Sequence, residues 1–269
     1  MKTEITRHQI DFYRENGFVY HPGFLSLEEV AELKEAVVTT VAGMGRKKVA
    51  DGGAELVEGD AYYDKVFTQR LNLWRINETI KRYMLNPALG RMLCELAGVE
   101  GFRVWHDQAL IKEPFGNPTA WHLDNPYWSF YSKEAISIWI AIEAATLENG
   151  CMYFVPGTQR LASFENVGID KNIGALFKLY PKMGEIDPVA VPMKAGDCSF
   201  HNGLTAHGAG ANMTRTRRIA MTCAYMPAGS TFNGQRNILS EEYFKALKPG
   251  DLLENDDWNP VVYSRGEKA

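Results

Sequence analysis

The sequence predicts a mainly β fold, a two-sheet sandwich or jelly roll buttressed by a helical first third. Three observations predict it. The first hundred residues place apolar side chains at helical spacing behind capping signals. From Gly101 onward the pattern changes to short runs rich in β-branched and aromatic residues, bounded by Gly, Pro and Asn. Helices followed by a series of strands, without alternation between the two, describe an all-β core rather than a parallel sheet. The 269 residues suit one domain. Its expected parts are a helical buttress over 1–100, the β core over 101–227 and a C-terminal extension over 228–269.

A short helix is expected over residues 7–16, stopping at Gly17. Ser26 three residues before Glu29 is a capping-box signature, and Val30, Leu33, Val37 and Val38 follow it at helical spacing. Residues 43–60 turn to Gly, Lys and Glu with little periodicity and are expected as a loop. Helical pattern resumes around Leu71, Leu73, Ile76 and Ile80, and again from Asn86-Pro87 to Leu96. The expected strands cover 102–111, 120–123, 136–144, 151–155, 189–192, 197–201 and 218–225. Residues 159–187 form a long segment of weak periodicity, a pattern typical of lids and binding loops. With the 43–60 loop it is the expected cover of any site.

Composition excludes several functions. The net charge is −4, and the basic residues lie in short clusters, which gives no footprint for nucleic acid. The four cysteines, Cys94, Cys151, Cys198 and Cys223, form no Cys-x-x-Cys pair and no disulfide framework, which suits a reducing compartment. No apolar stretch suggests a leader or a membrane span, so a cytoplasmic protein is expected. A chain of this length buries enough surface to fold unaided, so a metal site in it would serve chemistry.

Six histidines are available for such a site: His8, His21, His106, His122, His201 and His207. The most informative lies in Trp121-His122-Leu123-Asp124, because side chains two apart on a strand share a face. Two histidines and one carboxylate on one face of a metal form the ligand set of non-haem Fe(II) oxygenases, with positions left open for substrate and O₂. Gly203-Leu204-Thr205-Ala206-His207-Gly208 offers a second histidine near a strand end. Eleven residues later Arg218 opens the apolar run Ile219 to Tyr225. A guanidinium buried there would need a carboxylate partner, which it can hold bidentately.

These stretches resemble the phytanoyl-CoA dioxygenase family of Fe(II)- and 2-oxoglutarate-dependent oxygenases. Further matching stretches are Ile138-Trp139-Ile140-Ala141-Ile142-Glu143, Glu148-Asn149-Gly150-Cys151, Val155-Pro156-Gly157-Thr158, Ala195-Gly196-Asp197, and His207 to Thr214 followed by Arg218. The resemblance runs from about Gly101 to Pro227. It implies a double-stranded β-helix of cupin-like form, with Fe(II) as cofactor, and 2-oxoglutarate and O₂ consumed in oxidising a small molecule. It makes His122, Asp124 and His207 the iron ligands and Arg218 the clamp for the distal carboxylate of 2-oxoglutarate. Trp139 matches a tryptophan of the cosubstrate pocket, with Thr119 and Gln108 as further cosubstrate candidates. His207 is preferred to His201 because it alone carries the Gly-x-Gly-x-Asn-x-Thr continuation.

Two departures stand out. Relatives often carry Ser where this chain has Ala209, which removes a hydroxyl near the cosubstrate. Five residues separate His201 from His207 where many relatives have four, which predicts a bulge around Gly203. Related halogenases replace the carboxylate ligand with a small residue, so Asp124 favours hydroxylation or another oxidation over halogenation.

Tyr127, Trp128 and Phe130 are expected on the substrate wall, with Asn125 and His106 beside them. His106 and Asp107, adjacent on one strand, should face opposite ways. Lys112 is expected either to point toward the cavity or to lie on a solvated strand face. The residues also admit a cupin-like metal enzyme that does not use 2-oxoglutarate, with Arg218 binding substrate, or a catalytically silent jelly-roll binding protein. The expected partner is a small-molecule substrate, with neither nucleic acid nor membrane, and the assembly a monomer or small homo-oligomer.

Overall fold

The computed structural model describes residues 1–50, 56–59 and 63–266. Helix α1 (Arg7–Asn16) starts at a capping box of Thr6 and Gln9 and ends at Gly17 with φ of 80°, a left-handed cap that suits glycine. Strand β1 (Phe18–His21) follows, then α2 (Leu27–Met44), capped by the Ser26–Glu29 pair. Strand β2 (Thr68–Leu71), a short 3₁₀ turn at Leu73–Arg75, α3 (Glu78–Met84) and α4 (Pro87–Ala97) complete the first third.

The β region comprises β3 (Gly101–Lys112), β4 (Thr119–His122), β5 (Ile136–Ala141), β6 (Met152–Phe154), β7 (Val189–Val191), β8 (Cys198–Asn202), β9 (His207–Ala209) and β10 (Arg218–Pro227). Short helices α5 (Ala175–Leu179) and α6 (Glu241–Ala246) and strand β11 (Val261–Ser264) lie among and after these strands. One sheet has the order β1-β8-β5-β10-β3-β11, with β2 also paired to β3. The second has the order β4-β9-β6-β7. Every pairing between these strands is antiparallel, and together they form the jelly roll.

Strand alternation sorts the two faces of the large sheet. Ile136, Ile138 and Ile140 of β5 and Ile219, Met221, Cys223 and Tyr225 of β10 pack with Leu33, Val37, Ile80, Met84 and Leu93 of the helices. The opposite face carries Trp139, Ala220 and Leu110, packed with Met152, Phe154 and Ala209 of the small sheet. Helices thus cover one face and leave the other to the space between the sheets. Burial of both faces explains why β5 and β10 read as nearly continuous apolar runs.

Several expectations are corrected. The pattern around Leu71 is strand β2 and a 3₁₀ turn before α3 begins, because its apolar residues are shared between sheet edge and helix. The strand expected over 136–144 ends at Ala141. Strands β1, β9 and β11 were not expected; each is short and takes its pairing from distant partners. The bulge expected at Gly203 is a turn between β8 and β9, with Thr205 N–H donating to the Asn202 carbonyl. Part of the expected 43–60 loop lies outside the described residues; residues up to Met44 continue α2, and isolated bridges tie Lys47 to Val57 and Val49 to Leu71.

Candidate active site

The ligand cluster is built by strand ends and one turn. His122 closes β4 and His207 opens β9, where the two are paired residues with ring centroids 4.2 Å apart. Asp124 is not on the strand as expected. It follows in a helical conformation, φ −79° and ψ −53°, ahead of a 3₁₀ turn at Asn125–Tyr127. Its N–H and that of Asn125 both donate to the Gly203 carbonyl, at 3.0 and 2.9 Å. A Cβ on Gly203 would stand 3.0 Å from the Asn125 Cβ and 3.2 Å from the Trp128 ring, so this close approach favours glycine.

The side chains converge. Nε2 of His122 and Nε2 of His207 lie 3.5 and 3.6 Å from Asp124 Oδ1. One atom from each residue fits a set whose members all lie within 4.8 Å of one another. Nδ1 of His122 donates to the Ala120 carbonyl and Nδ1 of His207 to that of Thr205, both at 2.9 Å. These bonds fix the tautomers so that both Nε2 lone pairs face the cluster, as metal-binding imidazoles require. The other oxygen of Asp124, Oδ2, accepts from Ser137 Oγ and lies 3.2 Å from His201 Nε2. Burial alone would raise the Asp124 pKa, but the surrounding imidazoles of His207, His122 and His201 hold it well below the usual range. Burial, followed by His122, pushes the His207 pKa well down. An ionised Asp124 carboxylate beside a neutral His207 imidazole is the protonation pattern of a metal-ready site.

A cavity of about 390 Å³ opens over this cluster and extends to Arg218. Arg218 starts β10 and is 1% exposed, yet none of its three guanidinium nitrogens has a hydrogen-bond partner. Burial pushes its pKa down to about 10, so it still carries its charge at neutral pH. An unpaired buried cation is costly, and a carboxylate entering the cavity would relieve it. The residues therefore fit both groups implied by the sequence: a divalent iron ion at the two-histidine-one-carboxylate cluster and a dicarboxylate reaching from it to Arg218.

The family model for phytanoyl-CoA dioxygenase matches residues 13–220, which include every one of these residues. The chain belongs to the phytanoyl-CoA dioxygenase family. It is thereby an Fe(II)- and 2-oxoglutarate-dependent oxygenase. The dioxygenase lolE1 of Epichloe uncinata is 27% identical over 82% of this chain and 82% of its own length. The solved 2-oxoglutarate-dependent carbocyclase SnoK of nogalamycin biosynthesis superposes with a TM-score of 0.79 at 28% identity, covering 96% of this chain and 97% of its own. The epimerase SnoN, solved with Fe³⁺, 2-oxoglutarate and nogalamycin RO, gives a TM-score of 0.75 at 27% identity over 95% and 97%.

In this member of the phytanoyl-CoA dioxygenase family, Trp139, Gln108, Thr119, Tyr127, Trp128 and His106 all line the cavity with the ligand cluster and Arg218. Trp139 lies under the Arg218 guanidinium. Thr119 pairs with Ala209 across β4 and β9, and its Oγ1 is buried without a partner. Gln108 accepts from Gln69 Nε2 at 2.6 Å. Burial pushes the His106 pKa down to about 4, against the pull of Asp124, so the ring is neutral.

Other expected site residues lie elsewhere. Asn125 is fully buried and braces its own turn, donating to the Phe130 carbonyl and accepting from Ser132 N–H. Phe130 faces away from the cavity and packs edge-on against Trp105, with centroids 5.3 Å apart. Lys112 is neither solvated nor on the cavity wall: it is fully buried, and Nζ donates to the Asn117 and Gly210 carbonyls at 2.8 Å. Asp107 does face away from His106, and its carboxylate accepts from the Leu73 and Trp74 N–H groups at 2.7 Å.

The wall also contains Phe67, Gln69 and Leu71 near β2, Ile169 of the 159–187 segment, and Asn237 and Ile238 of the C-terminal extension. None was named as a site residue in the sequence, although Ile169 lies in the 159–187 segment expected to cover the site. Strand β2 was hidden by its helical-looking neighbours, and the extension has no periodicity to mark it.

Proposed function

We propose that this oxygenase hydroxylates a C–H bond of a small organic molecule, with His122, Asp124 and His207 holding Fe(II) and Arg218 holding the distal carboxylate of 2-oxoglutarate. The observation that carries this reading is the unpaired, buried guanidinium of Arg218 in the same cavity as the ligand cluster. A cupin-like enzyme without 2-oxoglutarate would spend that cation on its substrate, a use the family match does not favour, and a silent binding protein would not need the fixed tautomers of His122 and His207.

Bound in this site, iron and 2-oxoglutarate supply oxidation by O₂: one oxygen atom enters the substrate as hydroxyl, the other enters the new carboxylate of succinate, and CO₂ leaves. The chain's own residues bind and orient. Asp124 offers Oδ1 toward the metal position while Ser137 and His201 hold Oδ2, which fixes the carboxylate plane. Thr119 Oγ1 would donate to the cosubstrate in place of the hydroxyl missing at Ala209. Trp139 shields one face of Arg218 from water, which strengthens its grip on a carboxylate. Tyr127 and Trp128 would form the substrate wall. Because Asp124 fills the ligand position a halide would need, oxygen transfer is favoured over halogenation.

A second outcome has specific support. SnoK is described as a carbocyclase and SnoN as an epimerase, and both cover most of this chain at 27–28% identity. Ring closure or epimerisation would use the same residues and differ only in the fate of the substrate. Screening a metabolite library for succinate release, followed by product mass, tests all of this. Hydroxylation adds one oxygen atom, ring closure or desaturation removes a pair of hydrogens, and epimerisation leaves the mass unchanged. Absence of 2-oxoglutarate turnover with or without every compound tried, in protein shown to bind Fe(II), would reject the assignment.

A further inference from the structure

We propose that the part of the substrate seated in this cavity is an uncharged ring system carrying a hydroxyl or carbonyl oxygen, and that His106 recognises that oxygen. The proposal rests on the iron and 2-oxoglutarate reading of the site. With Asp124 and Arg218 committed to metal and cosubstrate, the described residues of the wall offer no further carboxylate, lysine or arginine. A substrate carboxylate, phosphate or ammonium entering here would lose its hydration and find no counter-charge. What remains on the substrate side is apolar or neutral: Leu71, Trp128 and Ile238 as flat surface, with His106, Gln108 and Asn237 as hydrogen-bonding groups.

His106 shares the cavity face with Gln108. Ala224 pairs with His106 and Thr222 with Gln108 in unbroken register, so strand alternation aims both side chains at the cavity. Beyond them Tyr225 pairs with Val104, so Trp105 is the additional residue of a bulge. The bulge turns Val104 to the core beneath the helices, which ends the cavity face of β3 at His106. Its ring stands edge-on to Trp128, with centroids 6.1 Å apart and planes at 89°. The residue is 4% exposed, and Nδ1 has no hydrogen-bond partner. A purely structural buried histidine would have its nitrogens satisfied by protein, as His21 does at Nδ1 with Gln9 and at Nε2 with the Lys2 carbonyl. A neutral imidazole offers one donor and one acceptor, which suits a hydroxyl or a carbonyl oxygen. Sites that hydrogen-bond a substrate oxygen reject analogues lacking it far better than apolar walls reject a change of shape.

The test uses protein loaded with Fe(II) and 2-oxoglutarate under exclusion of O₂, titrated calorimetrically with tetralol, tetralin and tetralin carboxylate. These probes share one bicyclic body and differ in the group presented. Tetralol is expected to bind about tenfold tighter than either of the others, the size of one buried hydrogen bond against an unpaired group. His106→Leu is expected to reduce tetralol to the affinity of tetralin while leaving tetralin within about twofold, and His106→Gln to keep part of the preference. The visible absorption band of the Fe(II)·2-oxoglutarate complex, retained in both variants, shows that the site remains folded. No binding of tetralol, binding of the carboxylate as tight as that of tetralol, or an unchanged preference in His106→Leu overturns the proposal. Absence of the band from the wild type would remove the iron and 2-oxoglutarate reading itself, and this proposal with it.

Discussion

The guanidinium carbon of Arg218 lies 5.1 Å from the centre of the Trp139 ring, and no nitrogen of that guanidinium makes a hydrogen bond. The indole face offers the cation a weak electrostatic partner but no acceptor, so the charge is held ready for an anion. Arg218→Met is expected to weaken 2-oxoglutarate binding by at least about a hundredfold, since a desolvated charge pair is worth several kcal/mol. Arg218→Lys should recover little of this, because an ammonium cannot reproduce the bidentate fork. Titration of the Fe(II)·2-oxoglutarate absorption band measures both. Thermal unfolding gives an independent check: 2-oxoglutarate should raise the Tm of the wild type and not that of Arg218→Met. Equal stabilisation of the two would mean that Arg218 is not the clamp.

Thr119 and Ala209 face each other across the small sheet, one with an unpartnered hydroxyl and the other with none. Thr119→Val keeps the shape and removes the hydroxyl. The variant is expected to raise the KM for 2-oxoglutarate by about fivefold to tenfold, the worth of one neutral hydrogen bond. Adding Ala209→Ser to it should restore most of the loss from the opposite strand. A KM unchanged in Thr119→Val would show that the hydroxyl does not reach the cosubstrate.

The two oxygens of Asp124 have different neighbours: Oδ1 faces His122 and His207, while Oδ2 faces His201 and Ser137. His201→Phe is therefore expected to weaken Fe(II) binding by roughly 10- to 100-fold, the usual effect of losing a residue that orients a ligand. His122→Ala and His207→Ala should abolish measurable binding. Anaerobic Fe(II) titration of the three variants separates the roles. A loss in His201→Phe as complete as in His207→Ala would make His201 a ligand.

Asp107 is fully buried behind His106, and burial pushes its pKa up to about 7 despite the N–H groups of Trp74 and Leu73 that it accepts from. The folded state therefore holds this proton more tightly than the unfolded chain does. Its contribution to stability is fully present below the unfolded pKa near 4 and is lost as pH rises through about 7. Asp107→Asn removes that titration. Between pH 5 and 8 the variant should gain on the wild type by on the order of 2 kcal/mol in urea unfolding. A difference between the two proteins that does not change with pH would contradict the assignment.

Much of this molecule was legible in local patterns. The capping pairs at Ser26 and Glu29, the stop at Gly17 and the β-branched runs of β3, β5 and β10 are short-range signals that tertiary packing did not override. The candidate ligands were legible through the His122-x-Asp124 pair and the motifs that carry the resemblance, and Arg218 because a guanidinium is costly to place in an apolar run without a chemical reason. Strands β1, β9 and β11 were not, since three or four residues carry too little pattern to reveal a partner far away in the chain. The wall residues Leu71, Asn237 and Ile238 were hidden for the same reason: nothing local marks a side chain that meets the cavity only after distant segments pack.

The sequence by itself determined a jelly roll behind helices and, through the motifs that carry the family resemblance, pointed to His122, Asp124, His207 and Arg218 as the candidate site, because motif spacing is a property of residue type and order. Only the tertiary structure decided how those residues are aimed. The Gly203 turn brings Asp124 to its histidines although it has left the strand. The extra residue at Trp105 turns Val104 to the core and so ends the cavity face of β3 at His106, while Lys112 is consumed by two backbone carbonyls. Direction along a strand reverses with every residue, so a single bulge or turn changes which face a side chain reaches, and that depends on the partner strand.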